Sequence, residues 1–208
     1  MSEQAAAFNY ATDFPVYCLT FTQHGRLLVG GGGGNSKSGV KNKLSPHSHT
    51  NHNITTVAAV KALYDVDLAG RTLDEVTALE LDANEDAPMC LSLNDESHVF
   101  ACGINGASED AQHNNNCRIF ELTEDADVEA CAIKPLKSQS TVASDKALDD
   151  DYLKAIRFSK DARKVVCASA SGGLSVLAYP SLEPIYPHRH GEQDILDLDL
   201  DTDDDKVA

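Results

Sequence analysis

A strand–turn–strand pattern that recurs along the 208 residues constrains the fold more than any other feature of the sequence. Each copy has a short apolar or alternating run, a polar turn and a second apolar run, which is the pattern of a β-hairpin. The copies lie at residues 15–30, 89–103, 155–168 and 195–208. Their matching positions are 72, 65 and 42 residues apart, at Phe21, Leu93, Phe158 and Leu200. The last spacing is the length of one four-stranded propeller blade, and polar loops lengthen the other two.

The sequence therefore predicts an all-β chain that forms part of a WD-type β-propeller. Further apolar runs at residues 117–122 and 173–178 supply outer strands, so each unit holds about four short strands. The predicted blades cover about residues 8–83, 84–150 and 151–192, and a fourth begins at residue 193. The chain has no Trp, so the repeats lack the Trp-Asp signature. A β-sandwich is the competing fold, but it does not account for four copies of one pattern.

A propeller closes into a ring, and three blades with one further hairpin do not close. We therefore expect the natural protein to be longer than this chain. The N-terminus has no basic region followed by an apolar stretch, and no segment approaches the roughly 20 apolar residues of a membrane span. As it stands, the sequence predicts a soluble chain of the nucleus or cytosol without a signal peptide or transmembrane segment.

The acidic composition limits the partners that the chain can bind. Lys and Arg total 17 against 33 for Asp and Glu, which gives a net charge of −16. Nucleic acids and anionic membranes are bound through clustered positive charge, so we expect neither as the main partner. A basic patch on a protein partner fits this charge, and plain solubility explains it as well. The six cysteines form no Cys-x-x-Cys pair, so we expect free, buried thiols of a reducing compartment.

Five consecutive glycines occupy residues 30–34, directly after the apolar run 27–29, and the polar segment continues to residue 43. Such a run is costly in backbone entropy, so it suits a loop whose carbonyls and amides face a ligand or a partner. A phosphate-binding P-loop would need Gly directly before Lys37 and Ser38, and Ser36 stands there. A flexible linker is the other alternative on composition.

The order of motifs from Phe14 to Lys43 resembles the opening of a known family. Phe-Pro-Val-Tyr at residues 14–17, the glycine run, and Gly-Val-Lys-Asn-Lys at residues 39–43 are similar to the Sec-type guanine-nucleotide exchange factors for the Sar GTPase. This family, which includes the prolactin-regulatory-element-binding protein, initiates COPII coat assembly. The resemblance implies a seven-bladed propeller in the full protein. It also implies a chain that promotes GDP release from a Sar-type small GTPase in transport from the endoplasmic reticulum to the Golgi.

The resemblance further implies roles for individual residues. The glycine run would hold a structural potassium ion through backbone carbonyls, and the residues after it would contact the GTPase, with Val40 as the apolar tip. Lys41 stands where the family usually has Pro. No bond is made or broken in such exchange, so the resemblance implies no catalytic residue, no enzyme activity and no nucleotide bound by this chain itself. The implied potassium ligands are Gly31, Gly32, Gly33 and Gly34, and the implied GTPase contacts are Gly39, Val40, Lys41, Asn42 and Lys43.

For the full protein the resemblance implies a position on the cytosolic face of the endoplasmic reticulum membrane, through a transmembrane helix that this chain lacks. Residues 45–61 separate the glycine loop from the next strand of the family pattern, as a surface insertion or as intron sequence read as protein. Two further functional interpretations stay open, which are a propeller scaffold for protein–protein interaction and an inactive truncated fragment.

Two other clusters contain residue types that can bind metal ions. Histidine is a common zinc ligand, and three histidines lie close together at His47, His49 and His52. No Cys or carboxylate is nearby, so a solvated loop is the better interpretation. The alternating aspartates of residues 197–203 lack the Gly and Glu of a calcium loop, so they predict an outward-facing acidic strand.

Overall fold

The computed structural model describes residues 7–12, 14–33, 58–82, 85–94, 96, 98–106, 114–141, 151–189 and 194–201. Within these residues the regular secondary structure is mainly β-strand, with a short 3-10 helix at Val128–Ala130. The strands form three four-stranded antiparallel sheets in sequential order, β1-β2-β3-β4, β5-β6-β7-β8 and β9-β10-β11-β12. This arrangement confirms the predicted WD-type propeller fold, and we number the three sheets as blades 1 to 3 along the chain.

The strand bounds follow the predicted hairpins closely. Blade 1 comprises β1 (Val16–Phe21), β2 (Leu27–Gly31), β3 (Ala58–Asp67) and β4 (Thr72–Leu81). Blade 2 comprises β5 (Cys90–Asn94), β6 (Val99–Gly103), β7 (Cys117–Thr123) and β8 (Ala132–Gln139). Blade 3 comprises β9 (Leu153–Phe158), β10 (Lys164–Ser169), β11 (Gly173–Ala178) and β12 (Pro184–Arg189). The runs predicted as outer strands are thus the third strands, because the more polar β8 and β12 pair outside them.

Two apolar cores join the blades face to face. Between blades 1 and 2, Leu28 and Leu63 pack with Phe100 and Phe120, whose rings stack with centroids 5.2 Å apart. Between blades 2 and 3 the core is built from aliphatic side chains and the thiols of Cys90, Cys117 and Cys167. Each sheet is too thin to bury an apolar face alone, so stacking on the neighbouring blade provides the burial that stabilises it.

The innermost strands of blades 1 and 2 differ in what their matching apolar side chains contact. Leu91 and Leu93 of β5 pack towards blade 1. The matching Leu19 and Phe21 of β1 lie on the face of blade 1 that points away from blade 2, and they are 56% and 59% exposed. This outward face of blade 1 therefore carries exposed apolar side chains at positions that in blade 2 pack against the neighbouring blade.

Two regions differ from the sequence-based expectation. Strand β3 begins at Ala58, so residues 58–61 lie in a strand rather than in the predicted insertion, because Val60 pairs with Gly31 in the ladder. In residues 194–201, Leu198 is buried against blade 3 while Leu196 is 78% exposed. Only a single bridging residue, Leu200, has strand character there within the described residues, and the rest of the predicted fourth hairpin lies outside them.

All six cysteines are free thiols, as expected. Five are buried and Cys18 is partly buried. Among the described residues, no helix is long and apolar enough to cross a membrane.

Candidate functional site

The first glycine of the run lies inside strand β2 and not in the loop. Gly30 pairs with Cys18 of β1, and a Cβ at Gly30 would lie 2.6 Å from the Cys18 sulfur and 3.0 Å from Cβ of Pro88. A distance of 2.6 Å essentially never occurs for a real Cβ atom, so an alanine at this position would force a neighbouring group to shift. The Cys18 thiol in turn donates a weak hydrogen bond across the blade junction to the carbonyl oxygen of Pro88, at 3.5 Å.

Blade 2 repeats this arrangement. Gly103 of β6 pairs with Cys90 of β5, and a Cβ at Gly103 would lie 2.6 Å from the Cys90 sulfur and 2.7 Å from Cβ of Leu153. The Cys90 thiol donates to the carbonyl oxygen of Leu153 in blade 3, at 3.4 Å. Burial raises the pKa of this thiol well above its usual range, so it stays protonated as a donor. Gly30 therefore belongs to a Cys–Gly pair that both blade junctions use, which we call the junction pair.

Gly31 marks the point where blade 1 departs from blade 2. A Cβ at Gly31 would overlap the carbonyl oxygen of Pro15 and would lie 3.0 Å from the ring of Phe14. The N–H of Gly32 donates to the same Pro15 oxygen at 2.9 Å, and Gly32 has a φ of 138°, which favours glycine. Residues 14–15 and 31–32 thus form the base of the glycine loop, which we call the loop base.

Three of the four predicted potassium ligands lie in this region, and Gly34 lies outside the described residues. Gly31 pairs with Val60 in the ladder, and Gly33 is the last described residue before the loop. Pro15 has no N–H to donate back to the carbonyl of Gly32, and backbone carbonyls are the ligands that a weakly hydrated monovalent cation accepts. Potassium binding at these glycines stays a prediction.

The predicted GTPase contacts from Gly39 to Lys43 lie outside the described residues, and so do His47, His49 and His52. Asp197 is described, and its carboxylate pairs with Arg157 at 3.1 Å. Within the described ranges no group of three or more His, Cys, Asp or Glu side chains is placed to hold a metal ion.

A groove that the sequence did not predict lies between the outer strands of blades 1 and 2, at the edge of the sheets where β2 ends. It has a volume of about 490 Å³ and joins an apolar part, which includes Leu79 and Leu136, to an ion pair between Arg118 and Glu85 at 2.5 Å. Both charged side chains are about 15% exposed or less, and Arg118 Nε also donates to the carbonyl oxygen of Asn115. Because its walls come from two blades, no local sequence signal reveals the groove.

Comparison with known proteins relates this geometry to a family. No protein-family model matches the chain. The guanine nucleotide-exchange factor SEC12 of Candida glabrata is 29% identical over 163 residues, which cover 77% of this chain and 30% of that protein. The resemblance to Sec-type exchange factors is confirmed. The SED4 protein of Saccharomyces cerevisiae is 30% identical over 116 residues, which cover 54% of this chain. The chain spans 30% and 9% of the lengths of these two relatives.

Solved structures support the fold independently. The β-propeller domain of Myceliophteria thermophila Cps50 (Swd1) matches 92% of the chain with a TM-score of 0.51 and 15% identity, over 47% of its own length. The WD40 repeats of RRP9 match 91% with a TM-score of 0.54 and 9% identity, over 43% of their length. At such identities the similarity shows the WD-type propeller fold alone.

Proposed function

We propose that this chain forms the loop-bearing part of a guanine-nucleotide exchange factor for a Sar-type small GTPase. The observation that carries the proposal is the sequence similarity to an exchange factor over 77% of the chain. That similarity supports an exchange role in general. The assignment to Sar and to COPII initiation rests on the motif order of residues 14–43, in which the glycine run leaves the sheet from the loop base.

In this proposal the loop acts by differential binding. An exchange factor that binds the nucleotide-free GTPase more tightly than the GDP-bound form must weaken GDP binding in the same ratio. Val40 supplies the apolar contact, and Gly39, Lys41, Asn42 and Lys43 complete the contacting segment. Potassium bound by carbonyls of Gly31 to Gly34 would supply positive charge that orders the loop and lowers the entropy lost on binding. The chain makes and breaks no bond, so it regulates an enzyme and is not one itself.

The cellular setting is part of the same proposal. The full protein would work at the cytosolic face of the endoplasmic reticulum in vesicle transport to the Golgi, attached through a segment other than these residues. The net charge of −16 suits a protein partner with a basic surface and disfavours nucleic acid.

Release of a fluorescent GDP analogue from a purified Sar-type GTPase tests the proposal. We expect the chain to accelerate release in potassium buffer, and less so in lithium buffer. Val40→Asp and Asn42→Ala should abolish the acceleration, since they change the contacting segment. Leu68→Ala is the matched control, because Leu68 is an exposed aliphatic side chain at the turn between β3 and β4, at the opposite edge of blade 1. Normal exchange by the Val40 and Asn42 variants would exclude the loop as the active element.

The groove between blades 1 and 2 favours a second candidate function, that of a propeller scaffold. A cavity that joins apolar side chains to a nearly buried ion pair is the kind of surface that holds a partner segment. A scaffold would bind its partner equally in potassium and lithium buffer and would be insensitive to changes at Val40. The same panel of variants, assayed for partner binding by pull-down or calorimetry, separates the two functions.

A further inference from the structure

We infer that Phe14 is a positioning residue for the glycine loop, because its ring fixes the backbone at the point where the loop leaves blade 1. The inference rests on the proposed function and adds to it a residue outside the loop.

The ring of Phe14 is placed on Gly31 by tertiary packing. Phe14 is only 5% exposed and packs with Val29, Ala62 and Tyr64 on the outward face of blade 1. Its carbonyl oxygen accepts a hydrogen bond from the Thr12 hydroxyl at 2.8 Å. The packing of Phe14 holds the segment before β1 against the sheet, and its ring lies over the backbone of Gly31, 3.0 Å from where a Cβ would stand.

Blade 2 shows what this position contains when no glycine loop follows. The residue after the junction-pair glycine Gly103 is Ile104, which is 1% exposed and fills the core with its own side chain. In blade 1 the corresponding residue is Gly31, and the covering side chain comes from Phe14, 17 positions earlier in the chain. In blade 1, therefore, the ring of Phe14 packs over the strand in place of a side chain from the strand itself.

The Phe14 ring limits the directions that the backbone can take at the loop base. Gly31 is the last residue of β2 and pairs with Val16 and Val60, whereas Gly32 lies beyond the strand. Glycine has large backbone freedom, and the Gly32 N–H donates a hydrogen bond to the Pro15 carbonyl at 2.9 Å. With the Phe14 ring in place, the backbone leaves the sheet in one direction. Without it, the loop base samples several directions, and the GTPase must select one of them, which costs conformational entropy during exchange.

The test compares Phe14→Ala and Phe14→Leu with the matched control Phe21→Ala. Phe21 is an aromatic residue on the same outward face of blade 1, is 59% exposed, and lies at the opposite end of β1 from the loop base. The first measurement is amide hydrogen exchange of Gly32 by NMR, which needs no GTPase. The second is steady-state nucleotide exchange with separate kcat and KM for the GTPase.

We expect Phe14→Ala to speed amide exchange of Gly32 and to lower kcat roughly tenfold with KM changed less than twofold, since misplacing an active element by about 1 Å costs one to two orders of magnitude in rate. Phe14→Leu should keep much of the Gly32 amide protection and much of kcat, and Phe21→Ala should resemble the wild type. A purely structural role would lower thermal stability in Phe14→Ala and Phe14→Leu without the selective loss of kcat.

Unchanged Gly32 protection in a folded Phe14→Ala variant overturns the inference, as does a kcat equal to that of the wild type. If the wild-type chain does not accelerate GDP release, the proposed function fails by itself. The amide measurement then tests the positioning role of Phe14 without the GTPase. Gly32 protection that is lost only in the Phe14 variants supports this role, and unaffected protection refutes it.

Discussion

The junction pair of Cys18 and Gly30 gives the sharpest test of how the glycine run is built. In Gly30→Ala the new methyl group would stand 2.6 Å from the Cys18 sulfur, about 1 Å closer than normal contact. Overpacking of this kind costs about 1–3 kcal/mol of unfolding free energy. Cys18→Ala removes the colliding sulfur and a weak cross-blade hydrogen bond, at a cost of about 1 kcal/mol.

The two changes should therefore be strongly non-additive. We expect the double variant to be at least about 1 kcal/mol more stable than the sum of the two single costs predicts, because the sulfur and the methyl group compete for one space. Urea unfolding followed by circular dichroism gives the three free energies. The same cycle with Gly103 and Cys90 should show coupling of the same sign, since blade 2 has the same 2.6 Å distance.

Gly25 supplies the control cycle. It has a φ of 77° and nothing within 4 Å of an added Cβ, so Gly25→Ala costs backbone strain that Cys18→Ala cannot relieve. Additive free energies for Gly30 and Cys18 would refute the close contact, and with it the assignment of Gly30 to the blade junction. Coupling between Gly25 and Cys18 would show that the assay reports a general change and not a shared space.

Three further outcomes follow from the structure. Phe100→Ala should lower the free energy of unfolding by about 3–5 kcal/mol in urea, because Phe100 is fully buried between blades 1 and 2. Cys90 should resist alkylation at pH 8 until urea unfolds the chain, because burial both shields the thiol and raises its pKa. The Ser159 hydroxyl and the Arg163 amide lower the pKa of Asp161, so the stability from this turn is complete above the pKa of an unfolded aspartate and is lost as the pH falls through the lower folded value. The chemical shift of Asp161 in an NMR pH titration checks this pKa. Asp161→Asn should remove the acid-dependent part of the stability that comes from this turn.

The repeated hairpins could be predicted because alternation and short apolar runs are local signals. Of the matched positions, Phe21 and Phe158 end the first strands of blades 1 and 3, and Leu93 is the last residue but one of the first strand of blade 2. The start of β3 was harder to predict, since the residues from Ala58 have weak alternation and obtain their strand character from pairing with Gly31 and its neighbours. Sequence alone also missed the groove, because its walls meet only after blade 1 stacks on blade 2.

The candidate site could be predicted only in part, for a physical reason. The sequence shows five equal glycines, whereas their neighbours in space differ. Gly30 is required by Cys18 and by Pro88, which is 58 positions away in the chain, and such contacts have no local signature. The potassium ligands and the contacts from Gly39 to Lys43 stay predictions.

The glycine run therefore combines two requirements that substitution can separate. Gly30 has a counterpart in Gly103, so its absence of a side chain serves the stacking of blades, and an alanine there should change stability without a specific effect on exchange. Gly31 has no such counterpart, because Ile104 stands at that position in blade 2, and the space is given to Phe14. A methyl group at Gly31 would push against the Pro15 carbonyl, which also holds Gly32, so it should disturb the loop base and exchange together. If alanine at Gly30 and alanine at Gly31 had the same ratio of lost stability to lost exchange, the run would be one flexible segment, and the division at Gly31 would be wrong.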